Sequence, residues 1–218
     1  MERNELYPIF LKVSQLNILI VGGGNVGLEK LTFLLKSSPN AQVEMVAKEF
    51  NPQTLALAKN HNVKITTDAY SEEYLEGRHM VIATTDAIEV NKEVYRDCRK
   101  RNLLVNVADN PPLCDFYMGG IVTKGNVKVA ISTNGKSPTA GKRIKEVLQD
   151  AMPGELDQVI ENLHVLRGRL NGNFQHKVKK LNKITRVMVE NESSSTAQRW
   201  RKIATYSLIG FALMLIGH

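Results

Sequence analysis

An α/β fold built on a mostly parallel sheet is what this sequence predicts, on three observations. Short β-branched runs alternate with helical patterns through the first half of the chain. One of those runs, Ile18–Val21, opens directly into Gly22-x-Gly24-x-x-Gly27 and then into a helix-spaced series, Leu28, Leu31, Leu34 and Leu35. After residue 116 the character changes to a hairpin pattern followed by basic helical stretches. With 218 residues, 43% hydrophobic and 23% charged, the chain can bury a sizeable core.

The glycine spacing carries a specific chemistry. Gly22 lets the chain turn sharply off the strand, Gly24 lets backbone approach a pyrophosphate, and Gly27 lets the helix pack closely. The helix N-terminus then offers N–H groups and partial positive charge to phosphates. Because a strand precedes the loop and a helix follows it, the pattern reads as a dinucleotide cradle rather than a structural turn.

The remaining elements follow in order. Tyr7-Pro8-Ile9-Phe10-Leu11 is an apolar lead-in expected to pack near the first strand. The breakers Ser37-Ser38-Pro39-Asn40 end the first helix, and Val43–Ala47 forms the second strand. Lys48 and Glu49 fall at its carboxyl end, where an adenosine ribose belongs. An acid there suits the 2′-hydroxyl of NAD and a lysine suits a 2′-phosphate; both side chains facing solvent is the plain alternative. Asn51-Pro52 opens a helix to Asn60, Val63–Thr66 alternates as a strand, and Ser71–Leu75 is a short helical piece. Met80–Ala83 reads as a buried strand that places Thr85 and Asp86 on the ligand-binding edge of the sheet, or as helix caps. Residues 88–101 make a basic amphipathic helix, and 103–107 the next strand. Asp109 follows in a loop stiffened by Pro111 and Pro112, either as a turn-forming residue or as a catalytic carboxylate.

Two strand-like runs, 116–123 and 127–132, flank Lys124-Gly125-Asn126 as a hairpin. Ser132–Pro138 then leads into a helix carrying Lys142, Arg143 and Lys145. This loop suits a carboxylate or phosphate ligand, or simply caps a helix with a solvated basic face. Residues 154–190 read as helices with an apolar stripe at Leu156, Val159, Ile160, Leu163 and Leu166, and Asn191–Ser195 as a linker. Arg199-Trp200-Arg201-Lys202 precedes an uncharged stretch from Ile203 to Gly217, shorter than the ~20 residues of a spanning helix. It reads as a membrane anchor at the inner face or as a buried oligomerisation helix.

Composition narrows the function. The net charge of +7 points to a polyanionic partner, but no zinc-finger, RNP or helix-turn-helix pattern supports nucleic acid. Two cysteines, Cys98 and Cys114, make no disulfide framework, and there is no signal-peptide pattern, so a cytoplasmic setting is expected. His, Cys and acidic residues show no metal-ligand spacing.

Five pieces in order resemble one family: Tyr7–Leu11, Gly22–Lys30, Ala83-Thr84-Thr85-Asp86, Asn106-Val107-Ala108-Asp109, and Ile131–Pro138. Over residues 6–150 the chain is similar to the precorrin-2 dehydrogenase / sirohydrochlorin ferrochelatase family of sirohaem synthesis. The resemblance implies a Rossmann-like NAD domain over 1–115, a small β-containing dimerisation region over 116–150 and a helical domain over 151–198; the basic-hydrophobic tail over 199–218 lies outside the resemblance. The resemblance also implies an NAD-dependent oxidation of precorrin-2 to sirohydrochlorin by a homodimer, followed in some members by insertion of ferrous iron as a second substrate. A separate chelatase would be the alternative. A cationic cleft would then attract the polycarboxylate tetrapyrrole. The family's key aspartate falls on Asp109. Its NAD contacts fall on Asn25, Val26, Lys48 and Glu49; the glycine spacing adds Gly22 and Gly24 and the sheet edge Thr85 and Asp86 as cofactor candidates, and the polar loop offers Ser132, Thr133, Asn134 and Lys136 as substrate-binding candidates. A serine phosphorylated in one branch aligns with Thr133, and Met118-Gly119-Gly120 departs from the family's usual run. The rival from another class is a nucleotide-sensing module, which also begins with this glycine loop but needs neither Asp109 nor the 132–138 loop.

Overall fold

A computed structural model describes residues 4–154 and 156–185. Its strands are β1 (Asn17–Val21), β2 (Gln42–Ala47), β3 (Lys64–Thr67), β4 (Met80–Ala83), β5 (Leu104–Val107), β6 (Gly120–Lys124) and β7 (Val127–Ile131). Its helices are α1 (Asn25–Ser37), α2 (Pro52–Asn60), α3 (Ile88–Lys100), α4 (Pro138–Ala151), α5 (Leu156–Arg169) and α6 (Phe174–Thr185). Among the described residues one compact unit runs to Ile121 and includes Ala130–Lys142. A second takes in Val122–Val129 and the residues from Arg143 onward.

The first unit is an all-parallel five-stranded sheet in the order β3-β2-β1-β4-β5. Central β1 is buried on both faces, as a continuous apolar run requires. Ile18 and Ile20 enter one core with Leu31, Leu35, Met45 and Ile82. Leu19 and Val21 enter the other with Val46, Val81, Val94 and Val105. Each such side chain contributes about 1.5–3 kcal/mol on leaving water. Gly27, Leu31, Leu34 and Leu35 form the buried face of α1, at helical spacing.

The carboxyl ends of the strands are brought level by bonds that continue the ladders. The N–H of Gly22 donates to Val46 (2.9 Å), that of Thr84 to Val21 (2.8 Å), that of Ala108 to Ala83 (2.9 Å) and that of Asp68 to Ala47 (3.0 Å). Four loops therefore leave the sheet at one edge from fixed starting points.

Several expectations shift. Tyr7 is 87% and Phe10 69% exposed, so the lead-in does not pack on β1, and among the described residues Val13 is the first buried one. Both edges of β1 are already paired with β2 and β4, and both faces are covered. The first hairpin strand starts at Gly120 rather than at 116. The preceding chain is held along β5: the Asp115 N–H donates to Val105 O (2.8 Å), its Oδ2 accepts from the Val105 N–H (3.0 Å), and the Phe116 carbonyl accepts from Asn106 Nδ2 (2.8 Å). Asp115 thereby closes an otherwise open edge strand.

In the second unit the hairpin turn is anchored by Asp157, whose Oδ1 accepts from the Asn126 N–H (2.7 Å) and Nδ2 (2.8 Å). Along α5, Leu156, Val159, Ile160, Leu163 and Leu166 are only partly buried. Among the described residues no helix is long and apolar enough to cross a membrane. The linker at 191–195 and the tail at 199–218 lie outside the described residues.

Candidate functional site

The level carboxyl edge of the sheet opens into a cleft of about 810 Å³ within the first unit. Gly22, Gly24, Asn25, Val26, Lys48, Glu49, Thr85, Asp86 and Asp109 all line it. Five stretches at the ends of β1, β2, β3, β4 and β5 meet there, joined by Val90 and Glu93 of α3.

The glycine loop owes its shape to three different restrictions. Gly22 has φ +122°, and a Cβ there would lie 2.5 Å from Thr84 Oγ1 and 2.8 Å from its carbonyl carbon. A Cβ on Gly27 would strike the Gly22 carbonyl oxygen, so this glycine packs the helix onto its own loop rather than onto the sheet. Gly23, unremarked in the spacing motif, faces the Glu49 carbonyl and the Phe50 ring. Its own carbonyl accepts from the Asn51 N–H (2.9 Å). Asn51 Nδ2 donates in turn to Asn25 Oδ1 (2.8 Å), which ties the start of α2 to the start of α1. Sequence spacing signals Asn51 only as a cap for α2, a role it also fills by accepting from the Gln53 N–H (2.8 Å).

Gly24 differs from the other three. A Cβ at that position would meet nothing within 4 Å, so open space borders the backbone where α1 begins. The N-cap of α1 carries no side-chain bond and its first turn no acid. Backbone donors and the helix dipole are therefore left for an anion, and the residues fit a dinucleotide diphosphate.

Across the cleft, Thr84 Oγ1 donates to Val21 O (3.0 Å) and clamps β4 to the glycine turn. Thr85 is held by the buried Asn91 of α3, through bonds of 2.7 to 3.1 Å. Tyr70 lines the same wall. Its burial and the adjacent Asp97 carboxylate, which accepts its hydroxyl at 3.3 Å, push its pKa well above that of an ordinary tyrosine. Beneath it, Cys98 is pushed up to about 12 by burial and then by Asp97, leaving an inert thiol. Asp109 has φ +58°, the left-handed region, in a turn closed by the Asn110 N–H to Val107 O (3.2 Å). A non-glycine residue held there is strained by about 1–3 kcal/mol, a cost that collects at functional positions.

The charge of the cleft overturns one expectation. Among the described residues that line it, Glu49, Asp68, Asp86, Glu93 and Asp109 are acidic and Lys48 is the one cation. The basic surplus of the chain is not spent here, because its cations sit on helices such as α4, with Lys142, Arg143 and Lys145, and α6, with Lys177, Lys179 and Lys180. Among these acids, the uncapped backbone N–H groups at the start of α1 are donors that suit a diphosphate.

Ser132, Thr133, Asn134 and Lys136 do not line the cleft. Asn134 (φ +54°) and Gly135 (φ +72°) form a tight turn in which the Lys136 N–H donates to Thr133 O (3.1 Å). Thr133 Oγ1 donates to Ser137 O (3.1 Å), Ser132 Oγ accepts from the Asn134 N–H (3.2 Å), and Ser137 Oγ accepts from the Ala140 N–H (3.1 Å) as the cap of α4. Those three hydroxyls shape the loop, and the side chains of Asn134 and Lys136 stand exposed.

Comparison with known proteins agrees with this architecture. Residues 9–120 match a family model for NAD(P)-binding domains, and residues 124–151 match the model of the sirohaem biosynthesis protein central domain. The chain belongs to the sirohaem synthase and precorrin-2 dehydrogenase family. Its first unit is accordingly a nicotinamide-dinucleotide domain. It is 33% identical over 169 residues to the siroheme synthase of Pseudoalteromonas translucida, and 34% identical over 177 residues to that of Psychromonas ingrahamii. These alignments cover 78% and 81% of this chain and 35% of each relative, so the chain spans about a third of the length of the curated relatives it matches. The solved structure of SirC, a precorrin-2 dehydrogenase, superposes with a TM-score of 0.66 at 26% identity. The match covers 82% of this chain and 89% of SirC.

Proposed function

We propose that this chain oxidises precorrin-2 to sirohydrochlorin with NAD as electron acceptor. The observation that carries the reading is the meeting of the glycine cradle and strained Asp109 in one cleft of a sirohaem-family chain. When bound, NAD accepts a hydride. Gly24, Asn25 and Val26 would hold the diphosphate through backbone donors at the start of α1, Gly22 would shape the turn beneath it with its own N–H given to Val46, and Lys48 and Glu49 would border the adenosine ribose. Thr85 and Asp86 form the opposite wall. Oxidation removes two electrons and two protons from the tetrapyrrole, one proton leaving with the hydride. Asp109 accepts the other, its carboxylate aimed by the left-handed turn. Ser132, Thr133, Asn134 and Lys136 bind substrate carboxylates. In a homodimer, the form the resemblance implies, a second chain places this loop relative to the cleft. The free thiols of Cys98 and Cys114 suit a reducing, cytoplasmic setting.

Purified protein mixed with precorrin-2 and NAD tests this directly. Sirohydrochlorin absorbance and NADH should rise together, and no NAD-dependent change overturns the proposal. A parallel sample with ferrous iron shows whether metal insertion follows on the same chain.

A further inference from the structure

Two acids stand on the adenosine side of the cleft, and only one of them is pinned. Asp68 is the first residue after β3, and its N–H is bonded to the last carbonyl of β2. Its Oδ2 accepts from the Tyr74 hydroxyl (2.6 Å) and its Oδ1 from the Ala69 N–H (2.7 Å), so the carboxylate lies in a fixed orientation on the cleft wall. Those same bonds hold its pKa below the ordinary range, and it is ionised at neutral pH. Glu49, one strand away, adds a second negative charge beside Lys48.

An ionised carboxylate accepts hydrogen bonds and cannot donate them. Toward adenosine it takes a bond from a ribose hydroxyl or from the exocyclic amine, and it repels a phosphate. We propose that Asp68 reads the adenosine half of the cofactor and makes this cleft select NAD over NADP. The inference rests on the dinucleotide reading of the cleft, and it answers the choice that Lys48 and Glu49 leave open between the two cofactors.

Binding measured without turnover tests it. Dissociation constants for NADH, NADPH and the reduced hypoxanthine analogue of NAD, which lacks the adenine amine, would be taken by fluorescence titration. Wild type and the isosteric, exposed Asp68→Asn would be compared, with thermal unfolding confirming that both are folded. Wild type should prefer NADH over NADPH by at least about tenfold, and Asp68→Asn should close most of that gap, as expected for relief of a close like-charge contact. A shift in the NADPH ratio alone places the carboxylate on the ribose, and an added shift in the hypoxanthine ratio places it on the base. Equal binding of NADH and NADPH by wild type, or ratios untouched by the substitution, overturns the proposal. If wild type binds no dinucleotide, the cofactor reading itself falls.

Discussion

Asn91 holds Thr85 from both sides. Its Oδ1 accepts the Thr85 N–H (3.1 Å) and hydroxyl (2.7 Å), while its Nδ2 donates to the Thr85 carbonyl (2.8 Å). A buried amide on α3 thus replaces the water that would otherwise satisfy a loop residue, and it sets the wall of the cleft opposite the glycine turn. Asn91→Ala should cost about 1–3 kcal/mol, the penalty of leaving buried polar groups unpaired. Thermal denaturation should show the loss, and NADH titration should show weaker binding because Thr85 is no longer fixed.

Gly22 and Gly24 separate folding from binding within one motif. Gly24→Ala adds a methyl to open space, so it should unfold at the wild-type temperature yet lose NADH affinity. Gly22→Ala strains a φ of +122° and collides with Thr84, so it should lower stability by about 1–3 kcal/mol as well as affinity. Equal effects of the two substitutions on stability would contradict these assignments.

Asp109→Asn keeps a residue that tolerates the left-handed region while removing the charge. Turnover of precorrin-2 should fall by roughly 10²–10⁴-fold, the range for a lost general base. The NADH dissociation constant should stay unchanged. Asp109→Ala should lose additional stability, because alanine tolerates the left-handed region less well than asparagine.

Glu44 is buried on β2 between Arg78 and Lys64. Burial pushes its pKa upward. Bonds from Arg78, from Thr66 (2.8 Å) and from Lys64, together with the Arg78 charge, outweigh burial and leave it below the usual 4.5. A depressed carboxylate stabilises the fold above its unfolded pKa, and that stability is lost as pH falls through the folded value. Urea denaturation between about pH 3 and pH 7 should therefore show an acid limb that flattens in Glu44→Gln. The variant should be less stable at neutral pH by about 1–3 kcal/mol.

The elements of the first unit were legible because their signals are local. The N-cap bond of Asn51, the apolar period of α1 and the β-branched run of β1 each act within a few residues. Phe116–Gly119 misled for the opposite reason. An apolar run reads as strand, but bonds from Val105 to Asp115 and from Asn106 to Phe116, each ten residues on, lead this segment off β5 as a return loop. Asp68, Gly23 and Asn91 carried no motif at all, since their roles come from partners on other strands and helices.

By itself the sequence determined the tight turn between β1 and α1, because Gly22 supplies the φ of +122° that the turn adopts. It also determined the parallel sheet, since fully apolar strands alternating with helices have few other ways to bury both faces. Tertiary structure alone decided the cleft's charge. The strand order β3-β2-β1-β4-β5 gathers Glu49, Asp68, Asp86, Glu93 and Asp109 around one lysine in a chain of net charge +7. Electrostatic interaction depends on distance through space, and spacing along the chain does not reveal which side chains end at the same edge.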